Sequence, residues 1–271
     1  MIKTPKISII MSVYNLEDFL TAAIESILDQ TFADFEFIII NDASTDNSEI
    51  IIEKFARKDK RIKVITNNQK IGLTKSLNKG IKIACGEYLA RMDGDDIALP
   101  KRLKRQVEFM KKNKDLAFCG TNVILVDEKG KKLKQKKLPL SSKKIRSQVM
   151  HFCPFIHPTL FFRQNVLLSA GKYNENFQFA QDYELILRLL EKFKGANINE
   201  PLLYYRVGLN KAISLKNLKK QEYFALKARW LAITKYHYSL LESWKMIKPL
   251  LSYLIPFEIK LIFYKKFFWN L

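Results

Sequence analysis

The 271-residue sequence has few cysteines, few glycines and no long apolar run. Its 3 cysteines lie 34 residues apart, which predicts neither a disulfide framework nor a zinc site and favours a reducing, cytosolic setting. The 9 glycines form neither a dinucleotide-binding fingerprint nor a P-loop. No apolar run reaches the roughly 18 residues of a membrane-spanning helix. The apolar stretch at 7–14 lacks a cleavage site, which indicates a buried strand rather than a signal peptide.

Acidic residues are also scarce relative to basic ones. There are 27 Asp and Glu against 47 Lys and Arg, so the net charge is +20. The excess of basic residues lies in two segments: residues 101–150 hold 16 basic and 4 acidic side chains, and residues 211–271 hold 12 basic and 3 acidic side chains. Residues 1–100 hold 13 basic and 15 acidic side chains, so this segment is nearly neutral. Such basic segments predict attraction to polyanions, whether nucleic acid, anionic lipid or phosphorylated substrates. A hydrophobic content of 48% permits a large core, so we expect one large domain with an appendage.

Short apolar runs alternate with helical patterns in the first hundred residues, which predicts a βαβ sheet of the α/β class. The predicted strands span 7–13, 35–40, 62–65 and 87–92, and the predicted helices span 16–28, 48–57 and 73–84. Asn15 and Asp18 resemble a capping box for the first helix. Further predicted elements are a basic helix from Pro100 to Lys112, strands at 117–126, 160–163 and 202–207, a lysine-rich connection at 131–144 and a helix starting near Asp182.

Polar residues follow three of the predicted strands, at Tyr14-Asn15, Asn41-Asp42 and Asp93-Gly94-Asp95-Asp96. Ligands of open α/β sheets gather at the carboxyl ends of the strands, so we expect these groups to share one site. The crowded carboxylates at 93–96 repel one another unless a cation intervenes, and Mg²⁺ or Mn²⁺ would leave positions open for substrate phosphates. The alternative is a solvated acidic turn, or the N-cap of the next helix.

Two further residues are candidates for chemistry. Asp182 begins an apolar helical run, where it either accepts a proton from a bound hydroxyl group or simply caps the helix. His157, in the segment His157-Pro158-Thr159, is either a ligand or a structural hydrogen-bonding group. Spacing in the sequence leaves both pairs of alternatives open.

Five segments occur in an order and at spacings that are found together in one enzyme family. They read ISIIMSVYN, NDASTD, ARMDGDD, HPT and QDYEL, and lie at residues 7–15, 41–46, 90–96, 157–159 and 181–185. In these segments the sequence resembles the inverting family-two glycosyltransferases of the GT-A fold, and the likeness covers about residues 5–210. It implies a mixed, mostly parallel sheet flanked by helices as a catalytic domain in residues 1–210. A basic, aromatic, helical extension would follow in residues 211–271.

The resemblance further implies transfer of a sugar from a nucleotide-diphosphate donor to a hydroxyl group, with inversion of the anomeric carbon. Residues implied to bind the donor are Ser12, Val13, Tyr14, Asn15, Asp42, Arg91, Asp93 and Gly94. A divalent cofactor, Mn²⁺ or Mg²⁺, would be bound by Asp93, Asp95 and Asp96, and Asp182 would be the general base. One in-line displacement inverts the carbon and requires only one such base.

The sequence departs from the family pattern at two positions. Gln181 stands where the family commonly has glutamate, and the loss of that charge predicts a lower pKa for Asp182 than in such relatives. Many relatives carry a histidine shortly after a Tyr-Arg pair, and it can complete the metal site, whereas Val207 follows Tyr205-Arg206. Metal ligands beyond residues 93–96 are therefore not predicted.

Residues 249–271 combine aromatic and aliphatic side chains with Lys260, Lys265 and Lys266. One interpretation is an interfacial helix on an anionic membrane, helped by the lysines of residues 129–144, which would hold the enzyme at the inner face of the cell membrane near a lipid-linked acceptor. The other interpretation is a segment that packs on the catalytic domain.

The favoured function is a metal-dependent, inverting glycosyltransferase of the cytoplasm that modifies a glycan or lipid-linked acceptor during assembly of a surface polysaccharide or glycolipid. One alternative is a metal-dependent phosphohydrolase with an aspartate pair after a strand, but the further lysine and acidic site that it needs are not identified. The other alternative is a basic nucleic-acid binder. No RNA- or DNA-binding signature is present and the positive charge lies away from the sheet that carries the motifs, so no nucleic-acid partner is expected.

Overall fold

The computed structural model describes residues 4–208, 217–255 and 260 of the chain. The strands are β1 (Ile7–Val13), β2 (Phe35–Asn41), β3 (Ile62–Thr66), β4 (Tyr88–Asp93), β5 (Ile97–Ala98), β6 (Leu116–Val126), β7 (Lys132–Lys136), β8 (Phe161–Arg163) and β9 (Lys194–Arg206). The helices are α1 (Glu17–Leu28), α2 (Ser48–Lys58), α3 (Leu73–Ile83), α4 (Arg102–Lys112), α5 (Ser142–Gln148), α6 (Gln164–Ala170), α7 (Gln181–Lys192), α8 (Leu218–Lys235) and α9 (Ile247–Leu254). Short 3-10 helices span His157–Thr159 and Leu240–Met246.

Within the described residues, nine strands form one mixed sheet in the order β3-β2-β1-β4-β8-β6-β9-β5, with β7 added beside β6. β1 runs parallel to β2 and β4, β2 to β3, and β6 to β9. The antiparallel pairings, β4 with β8, β5 with β9, and β6 with β7 and β8, are shorter. The strands β1 and β2 are buried along nearly their whole length, which explains their continuous isoleucine-rich sequences. The predicted α/β class and the mixed, mostly parallel sheet are confirmed.

Alternate residues of the central strands pack into two separate cores. Ile9 and Phe37 belong to the core that includes residues of α1, α2 and α4. Ile10 and Ile38 belong to the core on the opposite face, which includes residues of α3 and of α5 to α8. Because helices cover both faces of the sheet, the strand ends are where its polar groups reach a ligand.

The strands and helices predicted for residues 7–93 are confirmed, with ends that differ by one residue at most. One later prediction is wrong and another is confirmed only in part. The lysine-rich connection at 131–144 contains β7, a fully exposed edge strand whose lysines hide its β pattern, and the start of α5. The strand predicted at 202–207 is only the end of β9, which begins at Lys194. Its pairing with β6 is irregular around residues 198–201, so its sequence lacks regular alternation.

The capping box predicted for α1 is also wrong. Asn15 has a φ of 53°, the helix begins after Leu16, and no side chain of its own caps it. Instead, the backbone N–H of Leu16 donates to Ser48 Oγ at 2.9 Å and that of Glu17 donates to Asp46 Oδ2 at 3.0 Å. The loop between β2 and α2 therefore caps α1, which ties the ends of β1 and β2 together.

The helix α8, the first helix of the C-terminal extension, packs against α7. Ala228 and Ala232 are buried in the second core, and the Tyr236 hydroxyl donates to the fully buried Glu184 carboxylate of α7 at 2.5 Å. Of the predicted tail at 249–271, only residues 249–255 and 260 are described, and the rest of that prediction lies outside the described residues. In the described part of the chain, no helix is both long enough and apolar enough to cross a bilayer.

Candidate active site

The carboxyl ends of β1, β2 and β4 meet at one edge of the sheet. In the two parallel ladders of β1, Ser12 pairs with Ile40 on one side and with Asp93 on the other. Val13 pairs with Asn41. This register places the three polar segments that follow the strands side by side, as expected from their positions in the sequence.

The segment after β1 is fixed to the loop after β2. Asn15 Oδ1 accepts a hydrogen bond from the Thr45 backbone N–H at 2.8 Å, and its Nδ2 donates to Thr45 Oγ1 at 3.1 Å. The Lys70 ammonium lies 3.5 Å from the centroid of the half-buried Tyr14 ring. The ring is therefore held at the sheet edge with a cation on its face, a position in which an aromatic ring can stack on a planar base.

Asp42 holds the loop that follows β3. Its side chain is only 3% exposed, and its carboxylate accepts hydrogen bonds from Asn67 Nδ2 at 2.8 Å, from the Ile71 N–H at 2.9 Å and from the Gly72 N–H at 2.8 Å. Gly72 has a φ of 89°, which favours glycine. The Asp42 carboxylate thus holds this loop in place through three hydrogen bonds, which its position in the sequence did not predict.

Val13 and Gly94 contribute backbone rather than side chains to this edge. The Val13 side chain is fully buried in the first core. A Cβ at Gly94 would lie 2.8 Å from Leu16 Cδ1, so the missing side chain allows the turn after β4 to pack on the residue that precedes α1. Any contact of these two residues with a ligand would be made by backbone atoms.

The three carboxylates of the turn after β4 converge. Asp93, Asp95 and Asp96 each offer an oxygen that lies within 4.8 Å of the others. Asp93 forms an ion pair with Arg91. Asp96 Oδ1 accepts the backbone N–H of Arg206 at 2.8 Å, and Arg206 Nε donates to the backbone carbonyl of Asp95 at 2.8 Å. The end of β9 therefore fixes the shape of the acidic turn.

The carboxylates of this turn are held where they repel one another. Burial raises the pKa of Asp95 to about 6, and the charge of Asp93 adds to the rise. Burial also raises the pKa of Asp96 well above its usual range, with the charges of Asp95 and Asp93 adding. Among the described residues, Asp96 Oδ2 is buried without a hydrogen-bond partner. Crowded, hard oxygen donors with one orphaned atom fit a divalent cation such as Mg²⁺ or Mn²⁺.

Arg91 is the buried positive charge of the site. Its side chain is 1% exposed, and within the described ranges its Nε has no hydrogen-bond partner. Burial alone would lower the pKa of Arg91, but the charges around it, Asp93 foremost, raise it. Beneath it, the fully buried Arg102 donates through Nη2 to the backbone carbonyls of Arg91 at 2.6 Å and Pro158 at 2.7 Å. Arg102 thus joins the end of β4 to the HPT segment.

Asp182 lies half-buried in the first turn of α7, after Ala180, whose φ is 52°. Burial raises the pKa of Asp182, the Tyr183 N–H and the charge of Arg91 oppose the rise, and the charge of Asp93 adds to it. Asp182 is therefore within electrostatic reach of both Arg91 and Asp93. The prediction that Gln181 lowers this pKa relative to relatives with glutamate stays a prediction, because the upward shift is measured from an ordinary aspartate and not from such a relative.

Two tyrosines in the same site were not among the predicted site residues. Tyr173 OH lies 2.7 Å from His157 Nε2. Burial, with the charge of Arg91 adding, holds the pKa of His157 well below its usual range, so the imidazole is neutral. Burial raises the pKa of Tyr205, with the charges of the carboxylates of residues 93, 95, 96 and 182 adding, so this phenol is within electrostatic reach of all four. Tyr173 stands in no pattern that could have revealed it, whereas Tyr205 belongs to the Tyr205-Arg206 pair that the sequence already showed.

The mixed sheet, with an acidic turn after β4, is the GT-A fold of glycosyltransferases, and solved structures agree. The structure of S. aureus TarS 1–349 in complex with UDP superposes with a TM-score of 0.67 over 92% of this chain and 70% of that chain, at 21% identity. The mannosyltransferase PcManGT from Pyrobaculum calidifontis, in complex with GDP-Man and Mn²⁺, superposes with a TM-score of 0.64 over 86% of this chain and 66% of that chain, at 14% identity.

The sequence comparison is more specific than the fold. Residues 8–169 match the family described as Glycosyl transferase family 2. The O-antigen biosynthesis glycosyltransferase WbnJ of Escherichia coli is 37% identical over 207 residues, which cover 74% of this chain and 79% of that protein. The chain belongs to glycosyl transferase family 2.

Proposed function

We propose that this glycosyltransferase transfers a sugar from a nucleotide-diphosphate donor, with inversion, to a hydroxyl group of a glycan or lipid-linked acceptor in the assembly of a surface polysaccharide or glycolipid. The electrostatic influence of Arg91 and Asp93 on Asp182 carries the proposal, because it relates a separate carboxylate to the acidic cluster of residues 93, 95 and 96. The O-antigen relative and the UDP and GDP-Man complexes of structural neighbours support the donor class and the biological setting.

The donor nucleotide is assigned to the edge formed by the ends of β1 and β2. The Tyr14 ring offers a stacking surface, while backbone groups of residues 12–15 offer hydrogen bonds to base and ribose. Asp42 acts here by holding Ile71 and Gly72, and with them the loop that carries Lys70. Lys70 is then placed to approach the donor from above the Tyr14 ring.

The diphosphate is assigned to the turn after β4. Asp93, Asp95 and Asp96 would hold Mn²⁺ or Mg²⁺ there, and such an ion supplies a Lewis acid that stabilises charge on the departing diphosphate. The Arg91 guanidinium pairs directly with the Asp93 carboxylate. The Arg206 backbone N–H and side chain keep the turn in the shape that points its oxygens inward.

Asp182 is assigned as the general base. A carboxylate that accepts the proton of the acceptor hydroxyl during its attack increases the nucleophilicity of that oxygen. The raised pKa of Asp182 makes it a stronger base than an exposed aspartate, while the charge of Arg91 limits the rise. The HPT segment is tied to Tyr173 through His157 and to the end of β4 through Arg102.

Two variants separate the assigned roles. Asp182→Asn should lower transfer by about 10²–10⁴-fold with donor binding retained, because only the proton acceptor is lost. Asp95→Asn should weaken both Mn²⁺ and donor binding, since it removes one oxygen of the cluster without breaking the Arg91 pair. Calorimetric titration with UDP- and GDP-sugars measures binding, and product NMR measures transfer and the anomeric configuration.

Asp115→Asn is the matched control, because Asp115 is an exposed carboxylate that pairs with Lys194. Its transfer rate and donor affinity should stay at the level of the unmodified chain. Near-normal transfer by Asp182→Asn would remove Asp182 as the base. Release of phosphate without any sugar acceptor would favour the phosphohydrolase alternative.

A further inference from the structure

Exposed apolar side chains line one side of the C-terminal segment. Leu240, Leu241 and Trp244 lie on the 3-10 helix Leu240–Met246, and Ile247, Leu251 and Leu254 lie on α9, which follows directly. All six are at least half exposed, up to 83% for Leu241. We call these six residues the apolar strip.

The apolar strip is continuous. Leu241 and Trp244 are three residues apart, which is one turn of the 3-10 helix, so they lie on one side of it. Ile247, Leu251 and Leu254 follow at steps of four and three residues, which place them on one side of α9. Soluble surfaces rarely carry such a contiguous apolar patch unless it contacts a partner or a membrane.

Cations flank the apolar strip. The helix α5 is tied to the 3-10 helix that carries part of the strip. Arg146 forms an ion pair with Glu242 at 3.2 Å, and the Lys245 ammonium donates to the Ser147 carbonyl at 3.2 Å. Next to these contacts, Lys143 and Lys144 of α5 are exposed, as is Lys248 of α9. Glu242, the acidic residue within the strip segment, is paired with Arg146 and Lys245. The surface is therefore apolar at its centre and positive at its rim.

This charge pattern selects the occupant. An anionic bilayer offers acyl chains for the leucines and negative head groups for the lysines. A second copy of the chain would bring the same lysines against one another, and each copy carries a net charge of +20. The 3-10 geometry of residues 240–246 also interrupts the regular α-helix that a helix-pair seam needs.

We propose that the apolar strip, with Lys143, Lys144 and Lys248, is a docking surface for an anionic lipid bilayer. The surface is connected to the catalytic unit through α8. Tyr236, the residue after α8, donates a hydrogen bond to Glu184 of α7, and Asp182 lies in the first turn of that helix. Binding would thus present the site to acceptors held in the membrane, and this consequence alone rests on the proposed function.

Flotation of the full chain with vesicles tests the proposal. The chain should float with phosphatidylcholine vesicles that contain phosphatidylglycerol, and much less with pure phosphatidylcholine. L241S/L254S should bind at least about tenfold more weakly, because two side chains that would enter the acyl region are lost. K143E/K144E should lose the preference for phosphatidylglycerol, also by at least about tenfold.

The control is I50S/L168S, which removes two side chains of similar exposure, 66% and 70%, from α2 and α6. It should float like the unmodified chain. The proposal is overturned if the full chain does not float, or if L241S/L254S floats as well as the control. A dimer seen by sedimentation without vesicles, and lost only in L241S/L254S, would assign the strip to a second copy. None of these readouts needs sugar transfer, so they fail independently of the proposed function.

Discussion

Two tyrosines near the C-terminal end of α8 offer a matched test of how the extension is attached to α7. Tyr236 donates its hydroxyl hydrogen bond to the Glu184 carboxylate at 2.5 Å, and Tyr238 donates to the backbone carbonyl of Leu187 at 2.9 Å. The substitutions Tyr236→Phe and Tyr238→Phe each remove one oxygen and keep the ring. They differ mainly in the charge of the acceptor.

The structure sets the expected magnitudes. Glu184 is fully buried and keeps its partner Arg188, at 2.9 Å, after Tyr236 is changed, so no charge is left unpaired. Loss of a hydrogen bond to a charged group should then lower the free energy of unfolding by about 1.5–3 kcal/mol. Loss of the neutral bond in Tyr238→Phe should lower it by about 0.5–1.5 kcal/mol.

Urea unfolding followed by circular dichroism measures both values. The larger loss for Tyr236→Phe is the expected result. Equal losses, or a larger one for Tyr238→Phe, would refute the view that a charged hydrogen bond attaches α8 to α7. Transfer activity at a temperature where both variants are folded should fall little, because neither tyrosine lies in the assigned site.

Two further predictions concern titratable groups. The pKa of Asp95 is raised from 3.8 to about 6, so the folded chain binds this proton more tightly than the unfolded chain. Relative to Asp95→Asn, the unmodified chain in EDTA should lose about 2–3 kcal/mol of stability as the pH rises from about 4 to above 6. Urea unfolding of both chains at several pH values measures this loss. If the difference in unfolding free energy between the two chains does not change with pH, the prediction is contradicted. A thiol reagent should label the exposed Cys85 in the folded chain but not Cys119, because Cys119 is buried and burial raises its pKa to about 12. Mass spectrometry measures the labelling rate of each cysteine. Labelling of Cys119 as fast as Cys85 would show that the core opens readily and would contradict the prediction.

The first ninety residues could be predicted closely because β1, β2 and β4 are buried along nearly their whole length and helices such as α3 have one apolar side. The same reasoning fails for β7, since a strand with no buried side chain has no periodic signal. It fails for β9 because irregular pairing around residues 198–201 shifts the alternation.

The candidate site divides in the same way. Asp93 and its neighbours could be found, because they directly follow a buried strand and are unusually crowded. Tyr173 could not be found, because it reaches the site from a distant segment and only the fold brings it there. Arg102 closely follows the acidic turn in the chain, but nothing in the sequence shows that it is buried and bonds the carbonyls of Arg91 and Pro158. The bonding of Asp42 to backbone N–H groups of residues 71 and 72 is likewise invisible in the sequence.

The shared pocket can be measured directly with a paramagnetic ion. In the chain labelled with carboxyl ¹³C-aspartate, Mn²⁺ should broaden the Asp182 resonance, assigned from its loss in Asp182→Asn, together with those of residues 93, 95 and 96. The exposed Asp115 should remain sharp, and Asp95→Asn should need much more Mn²⁺. A sharp Asp182 signal beside broadened signals of the acidic turn would place Asp182 outside the pocket and contradict the account.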